Sequence, residues 1–128
     1  MLDTNTLSYL VQGRTAVAER VVATPMAALC MSSITEGELL FGLAKRPAAT
    51  RLHAVVHELL LRVDVLPWDH GAAQRYGATR AEMAAQGKVL APLDLLIATH
   101  ALSLGAVLVT SDKAFAQVPG LLLEDWAI

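Results

Sequence analysis

One cysteine, Cys30, stands in 128 residues. That excludes an intramolecular disulfide framework and fits a reducing compartment. Within the apolar run Ala27 to Met31 it reads as a small core residue. Aromatic side chains make up only 5% of the chain and charged ones only 17%, the latter below the usual share of a soluble domain. A net charge of −2 supplies no whole-molecule field for nucleic acid, so any such site must be local. No apolar run is long enough to span a bilayer. Asp3 follows Leu2 directly, without the basic and apolar segments of a secretory leader. These absences lead to the expectation of a cytoplasmic protein without membrane contact.

What remains is an unusually apolar chain, 55% hydrophobic and rich in Ala, Leu and Val. Its length suits one domain, residues 1–128, with a real core. So few polar residues leave apolar surface over for a partner.

The stretch from Ala91 to Phe115, APLDLLIATHALSLGAVLVTSDKAF, is the most informative. Pro92 suits a first helical turn; Leu93, Ile97, Ala101 and Leu104 recur at helical spacing, and Gly105 fits the residue just past a helix end. Ala106 to Val109 reads as a buried strand, closed by Thr110, Ser111 and Asp112. Upstream, Met1-Leu2 reads as the end of a buried strand with Asp3 at its tip, and Thr4 to Thr6 as the cap of a helix through Leu7 and Leu10. A second helical piece spans Ala16 to Ala23, and Ala27 to Met31 reads as a strand. Ser33 to Glu36 matches a capping box, for a helix that runs to Lys45-Arg46. Pro47 is expected to open the next helix, with Leu52, Val55, Val56, Leu59 and Leu60 as its apolar stripe. Val63 to Leu66 reads as a strand, Asp69 as the cap of a helix to about Gln86, and Leu121 to Leu123 as the last strand. Strands alternating with helices predict a single α/β domain, a small, mostly parallel twisted sheet of about four or five strands flanked by helices.

In such sheets functional groups collect beyond the carboxyl ends of the strands. Asp3 and Asp112 each follow a strand, Glu38 lies one turn into a helix that follows one, and Asp94 sits in the first turn of the helix before the fourth. Glu36 has a capping role to fill; Glu38, among Ile34, Leu39 and Leu40, has none. Taken singly, each acid also suits a cap or a surface charge. Gathered in one pocket, four carboxylates repel one another unless a cation joins them, and oxygen-only ligands select Mg²⁺ or Mn²⁺ over zinc. With no nucleophilic Ser or Cys motif, that set suits attack of a metal-activated water on a phosphodiester.

The segments MLDTN, SSITEGELLFGLAKRP, APLDLLIATHA and LVTSDKAFAQVPGLLLEDW, in that order over nearly the whole chain, resemble the PIN-domain family. The likeness is greatest to the VapC-type toxin ribonucleases of toxin–antitoxin pairs, a group that includes FitB-like proteins. The resemblance implies a PIN-like fold and an acidic quartet of Asp3, Glu38, Asp94 and Asp112 as catalytic and metal-binding residues. It also implies support near the metal from Thr4, Asn5 and Ser111, the last standing where relatives often have Asn. The implied activity is a Mg²⁺- or Mn²⁺-dependent endoribonuclease, acting as the toxin of a toxin–antitoxin pair on structured RNA such as tRNA or rRNA. Implied partners are a cognate antitoxin, whose C-terminal segment crosses the active-site groove, and a second copy in a homodimer. Phe41, Leu43, Leu52 and Val56 fit the antitoxin surface.

Lys113, beside Asp112, leads the possible RNA contacts, with Lys88 and Arg80 after it; Lys45, Arg46 and Arg51 are further cations, each otherwise a solvated charge. His53 and His57 share a helix face but lack a third ligand nearby and read as solvated. His100, well round the helix from Asp94, reads as a helix-surface or interface residue. Trp68 and Trp126 read as core edges. Two other functions are compatible with an α/β chain of this size: a catalytically inactive PIN-like binding module, and a phosphoacceptor receiver-like domain. The second needs paired acids after the first strand, where Asp3 stands alone.

Overall fold

Adjacent residues near the N-terminus and in the penultimate strand point to opposite sides of one sheet, and that alternation organises the fold. In the computed structural model, which describes residues 1–128, Leu2 and Val109 belong to one hydrophobic cluster and Met1 and Leu108 to another. The first cluster is closed by Leu7 of α1 (Thr4–Val11), Leu39 and Leu43 of α3 (Ser33–Ala44) and Val56 of α4 (Thr50–Arg62). The second is closed by Met83 of α5 (His70–Ala85) and by Leu95, Ile97, Ala98 and Ala101 of α6 (Pro92–Leu104). Helices thus cover both faces, α1, α3 and α4 on one and α5 and α6 on the other, while α2 (Thr15–Ala23) packs beside α1. Leu2, Leu7, Met31, Ile97, Leu108 and Phe115 are all buried, each contributing about 1.5–3 kcal/mol relative to an exposed side chain.

The sheet is parallel throughout its paired strands. Strand β1 (Cys30–Ser32) pairs with β2 (Asp64–Leu66), and β3 (Leu108–Val109) with β4 (Leu123–Glu124). The N-terminal segment bridges the two halves. Leu2 N–H donates to Cys30 O at 2.8 Å, Val109 N–H to Met1 O at 2.8 Å, and Leu2 forms a parallel bridge with Val109. The expected four or five strands are therefore four short ones plus this bridging segment.

The strand expected over Ala106 to Val109 is only Leu108–Val109, and the last lies at Leu123–Glu124 rather than Leu121 to Leu123; further boundaries depart from the sequence reading as well. Asp3, not Thr4 to Thr6, caps α1, through Oδ1 accepting from Thr6 N–H. Ser32, not Ser33, caps α3, its Oγ accepting from Ile34 N–H, and Glu36 forms no reciprocal bond. The capping box is displaced because Ser33 is already helical and its Oγ accepts from Trp68 N–H. Pro47 terminates α3 rather than opening α4, which starts at Thr50; a proline pushes the preceding residue out of helical conformation. Ala27 and Ala28 lie in a 3₁₀ turn, Met26–Ala28, that follows Pro25, so β1 starts only at Cys30, where Asp64 is its partner. Asp69 caps α5 and Gly105 ends α6 in the left-handed region, both as expected.

Candidate active site

Asp3 is 3% exposed. It is held at the sheet edge because its N–H donates to Val109 O at 3.1 Å while its Oδ1 accepts from Thr6 N–H at 2.8 Å. Thr6 Oγ1 also donates to Val109 O at 3.1 Å, so the start of α1 is fixed to β3 twice. Asp112, just beyond β3, donates its N–H to Thr110 Oγ1 at 3.0 Å, and its Oδ1 accepts from Ala114 N–H at 2.9 Å. Because Leu2 and Val109 run parallel, Asp3 and Asp112 leave the same edge. Glu38 reaches that edge from the second turn of α3, and Thr4 Oγ1 donates to its Oε1 at 2.5 Å. Asp94 arrives from the other layer, as the third residue of α6.

Electrostatics tie the four together. The pKa of Asp94 is raised, first by burial of the carboxyl and then by the charges of Asp112, Glu38 and Asp3, in that order. No cation of the chain relieves this: its two salt bridges are Arg20–Glu124 and Arg62–Glu58. Asp3, Glu38 and Asp112 each commit one carboxylate oxygen to a protein donor and keep the other; Asp94 accepts none. The carboxylates stand apart rather than in a closed cage, since no three His, Cys, Asp or Glu side chains come close enough to hold an ion as they are placed. The donor set nonetheless fits a hard divalent cation: all oxygen, four carboxylates, each with at least one oxygen not committed to a protein donor.

The other sequence candidates divide. Thr4 is on the site through Glu38, Ser111 is half-buried beside Asp112, and Asn5 is exposed on α1 without a side-chain bond. Lys113 is exposed next to Asp112. Arg80 and Lys88 line a cavity of about 220 Å³ against Leu95, the neighbour of Asp94, with Arg80 also donating to Tyr76 Oη at 2.8 Å. A second cavity, of about 280 Å³, runs from Thr4 and Glu38 between α1, α3 and α4 to Lys45, Arg46 and Leu52. Leu43 and Val56 are core, at 4% and 2% exposure, and reach the surface only as part of the lining of this second cavity. Phe41 is 63% exposed.

His100 is corrected outright. It is buried, not on the surface, and its Nδ1 lies 2.8 Å from Ser32 Oγ. Its helix is apolar nearly all round, with Ile97, Ala98, Thr99 and Ala101 buried as well, and that lack of a polar face was the available signal. Trp68 is also more than a core edge, since its Nε1–H donates to Leu96 O at 2.9 Å.

A parallel α/β sheet covered on both faces, with four acids from four elements converging at one edge, defines the class of the molecule. The chain belongs to the PIN-domain family: the PIN domain matches residues 1–121. The tRNA(fMet)-specific endonuclease VapC of Shigella flexneri is 38% identical over 128 residues, spanning 99% of this chain and 97% of that protein. The crystal structure of DNA-bound VapBC from Salmonella typhimurium matches with a TM-score of 0.92 at 40% identity, covering 98% of this chain and 96% of that one. The structure of VapBC-1 from nontypeable Haemophilus influenzae matches with a TM-score of 0.88 at 36% identity, over 100% of this chain and 98% of that one. Membership of this family removes the receiver-like reading. No helix is long and apolar enough to cross a membrane.

Proposed function

We propose that this protein is the toxin of a toxin–antitoxin pair, an endoribonuclease that depends on Mg²⁺ or Mn²⁺. One observation carries the reading: Asp3, Glu38 and Asp112, from three elements, all bear electrostatically on Asp94 of the opposite helical layer, and none of the four is in a salt bridge. These four would hold the cation. When bound, it supplies Lewis-acid polarisation of the scissile phosphate and a more acidic water.

The chain's own contribution is orientation. Thr4 holds Glu38 by one oxygen and leaves the other for the site. The Thr6 and Ala114 amides do the same for Asp3 and Asp112, so three carboxylates arrive with their rotamers set. Asp94, with its raised pKa, gains most from a bound positive charge. Lys113, Lys88 and Arg80 supply local positive charge for the RNA backbone. A structured RNA is the proposed substrate, tRNA foremost, in keeping with the name of the Shigella relative. The proposed antitoxin segment lies in the cavity from Glu38 to Leu52, with exposed Phe41 as an apolar anchor, and the proposed working form is a homodimer.

The test is incubation of the antitoxin-free protein with total cellular RNA in Mg²⁺, Mn²⁺ or EDTA. Discrete fragments that require the metal are expected. A folded protein that cuts nothing with either metal is an inactive binding module, and the proposal then fails.

A further inference from the structure

Glu38 comes from the layer of α3 and Asp94 from the layer of α6, so the site depends on how these two helices are held relative to each other. Three hydrogen bonds hold them. His100 Nδ1 of α6 lies 2.8 Å from the oxygen of Ser32, the cap of α3. Trp68 N–H, between β2 and α5, donates to Ser33 Oγ at 3.0 Å. The same residue's Nε1–H donates to Leu96 O, two residues beyond Asp94, at 2.9 Å. Each helix is therefore gripped near the acid it carries.

A serine beside a histidine also raises the question of nucleophile and base. Burial answers it, since Ser32 is 0% and His100 1% exposed, and no substrate reaches them. Ser32 Oγ also accepts from Ile34 N–H at 3.1 Å, and a hydroxyl can both donate and accept, so one oxygen serves the α3 cap and His100 Nδ1 together. Burial keeps the imidazole below the usual histidine range, against the opposing pull of Asp69.

We propose that Ser32, His100 and Trp68 are positioning residues, a buried strap that fixes α3 against α6 so that Glu38 and Asp94 approach one divalent cation together. The proposal rests on the reading of the site as a cation-dependent nuclease. Groups bonded directly to metal ligands commonly change affinity by about 10–100-fold when removed; this strap acts one step further back, through the helices that carry Glu38 and Asp94, so the lower end of that range is expected.

The experiment compares wild type with His100→Leu, His100→Asn and Trp68→Phe. Thermal unfolding in EDTA checks folding, electron paramagnetic resonance follows Mn²⁺ binding, and cleavage is measured across a Mn²⁺ titration. His100→Leu and Trp68→Phe are each expected to bind Mn²⁺ on the order of tenfold more weakly. Half-maximal cleavage then needs correspondingly more Mn²⁺, while kcat at saturation recovers. His100→Asn offers an amide near the position of Nδ1 and is expected to restore affinity. Unchanged Mn²⁺ affinity in both His100→Leu and Trp68→Phe overturns the strap. Trp68→Phe removes the Nε1–H bond to Leu96 and one of the two fused rings but keeps the backbone N–H bond to Ser33, so it decides the matter if His100→Leu does not fold. Wild type that binds no Mn²⁺ overturns the nuclease reading and the strap with it; wild-type binding with indifferent variants overturns the strap alone.

Discussion

Asp94 is half-buried among three other carboxylates, and no protein group shares its charge. Its pKa is raised in the fold, so the folded chain binds this proton more tightly than the unfolded chain does. The stability it contributes is present below the ordinary carboxylate range and is lost as pH rises through the raised value. At neutral pH in EDTA, Asp94→Asn is therefore expected to raise Tm by a few degrees while removing activity; a lowered Tm in circular-dichroism melts contradicts the repulsion. His100 has the opposite sign. Its pKa is lowered, so its contribution is full above about 6.5 and is lost as pH falls below that. Melts of wild type and His100→Asn are expected to keep a constant difference above that pH and to converge below it. Asp3, Asp94 and Asp112 stood out in the sequence at element ends, and Glu38 as a helical acid among apolar neighbours with no cap to serve. His100 did not: its partner, Ser32, lies 68 positions away, and helical spacing from Asp94 says nothing about what packs opposite.

At the scale of elements, helix stops and apolar stripes read cleanly and caps did not. Gly105 takes φ 63° at the end of α6, where a Cβ would meet nothing within 4 Å. The cost of Gly105→Ala is thus backbone strain alone, about 1–2 kcal/mol, and urea denaturation is expected to show it with little change in slope. A neutral outcome would mean that the turn after α6 relaxes. For α3, Ser32 and Ser33 are both possible caps, but only Ser33 has an acid, Glu36, three residues on. Tertiary structure chose between them, since Trp68 N–H claims Ser33 Oγ and leaves Ser32 to cap. The start of α4 was misplaced for a related reason: Pro47 suits a first turn or a terminator equally well, and the turn through Ala48 and Ala49 decides for the latter.

For the whole molecule, the alternation of Met1 with Leu2 and of Leu108 with Val109 places two hydrophobic clusters on opposite faces of one sheet. The α/β order of the sequence was enough to foresee that architecture. It could not foresee which helix covers which face, nor that Leu43 and Val56 are core while Phe41 is exposed, because α3 and α4 are apolar on more than one side. The same architecture assembles the proposed site: the sheet edge contributes Asp3 and Asp112, one layer Glu38 and the other Asp94. The central claim is that these four act as one unit on RNA. The most direct test is the rate of RNA cleavage by Asp3→Asn, Glu38→Gln, Asp94→Asn and Asp112→Asn, each shown by its melt to be folded. Each is expected to lose on the order of 100-fold or more in rate, with wild type silenced by EDTA. Cleavage at the wild-type rate by any one of the four, or cleavage that survives EDTA, would contradict the claim.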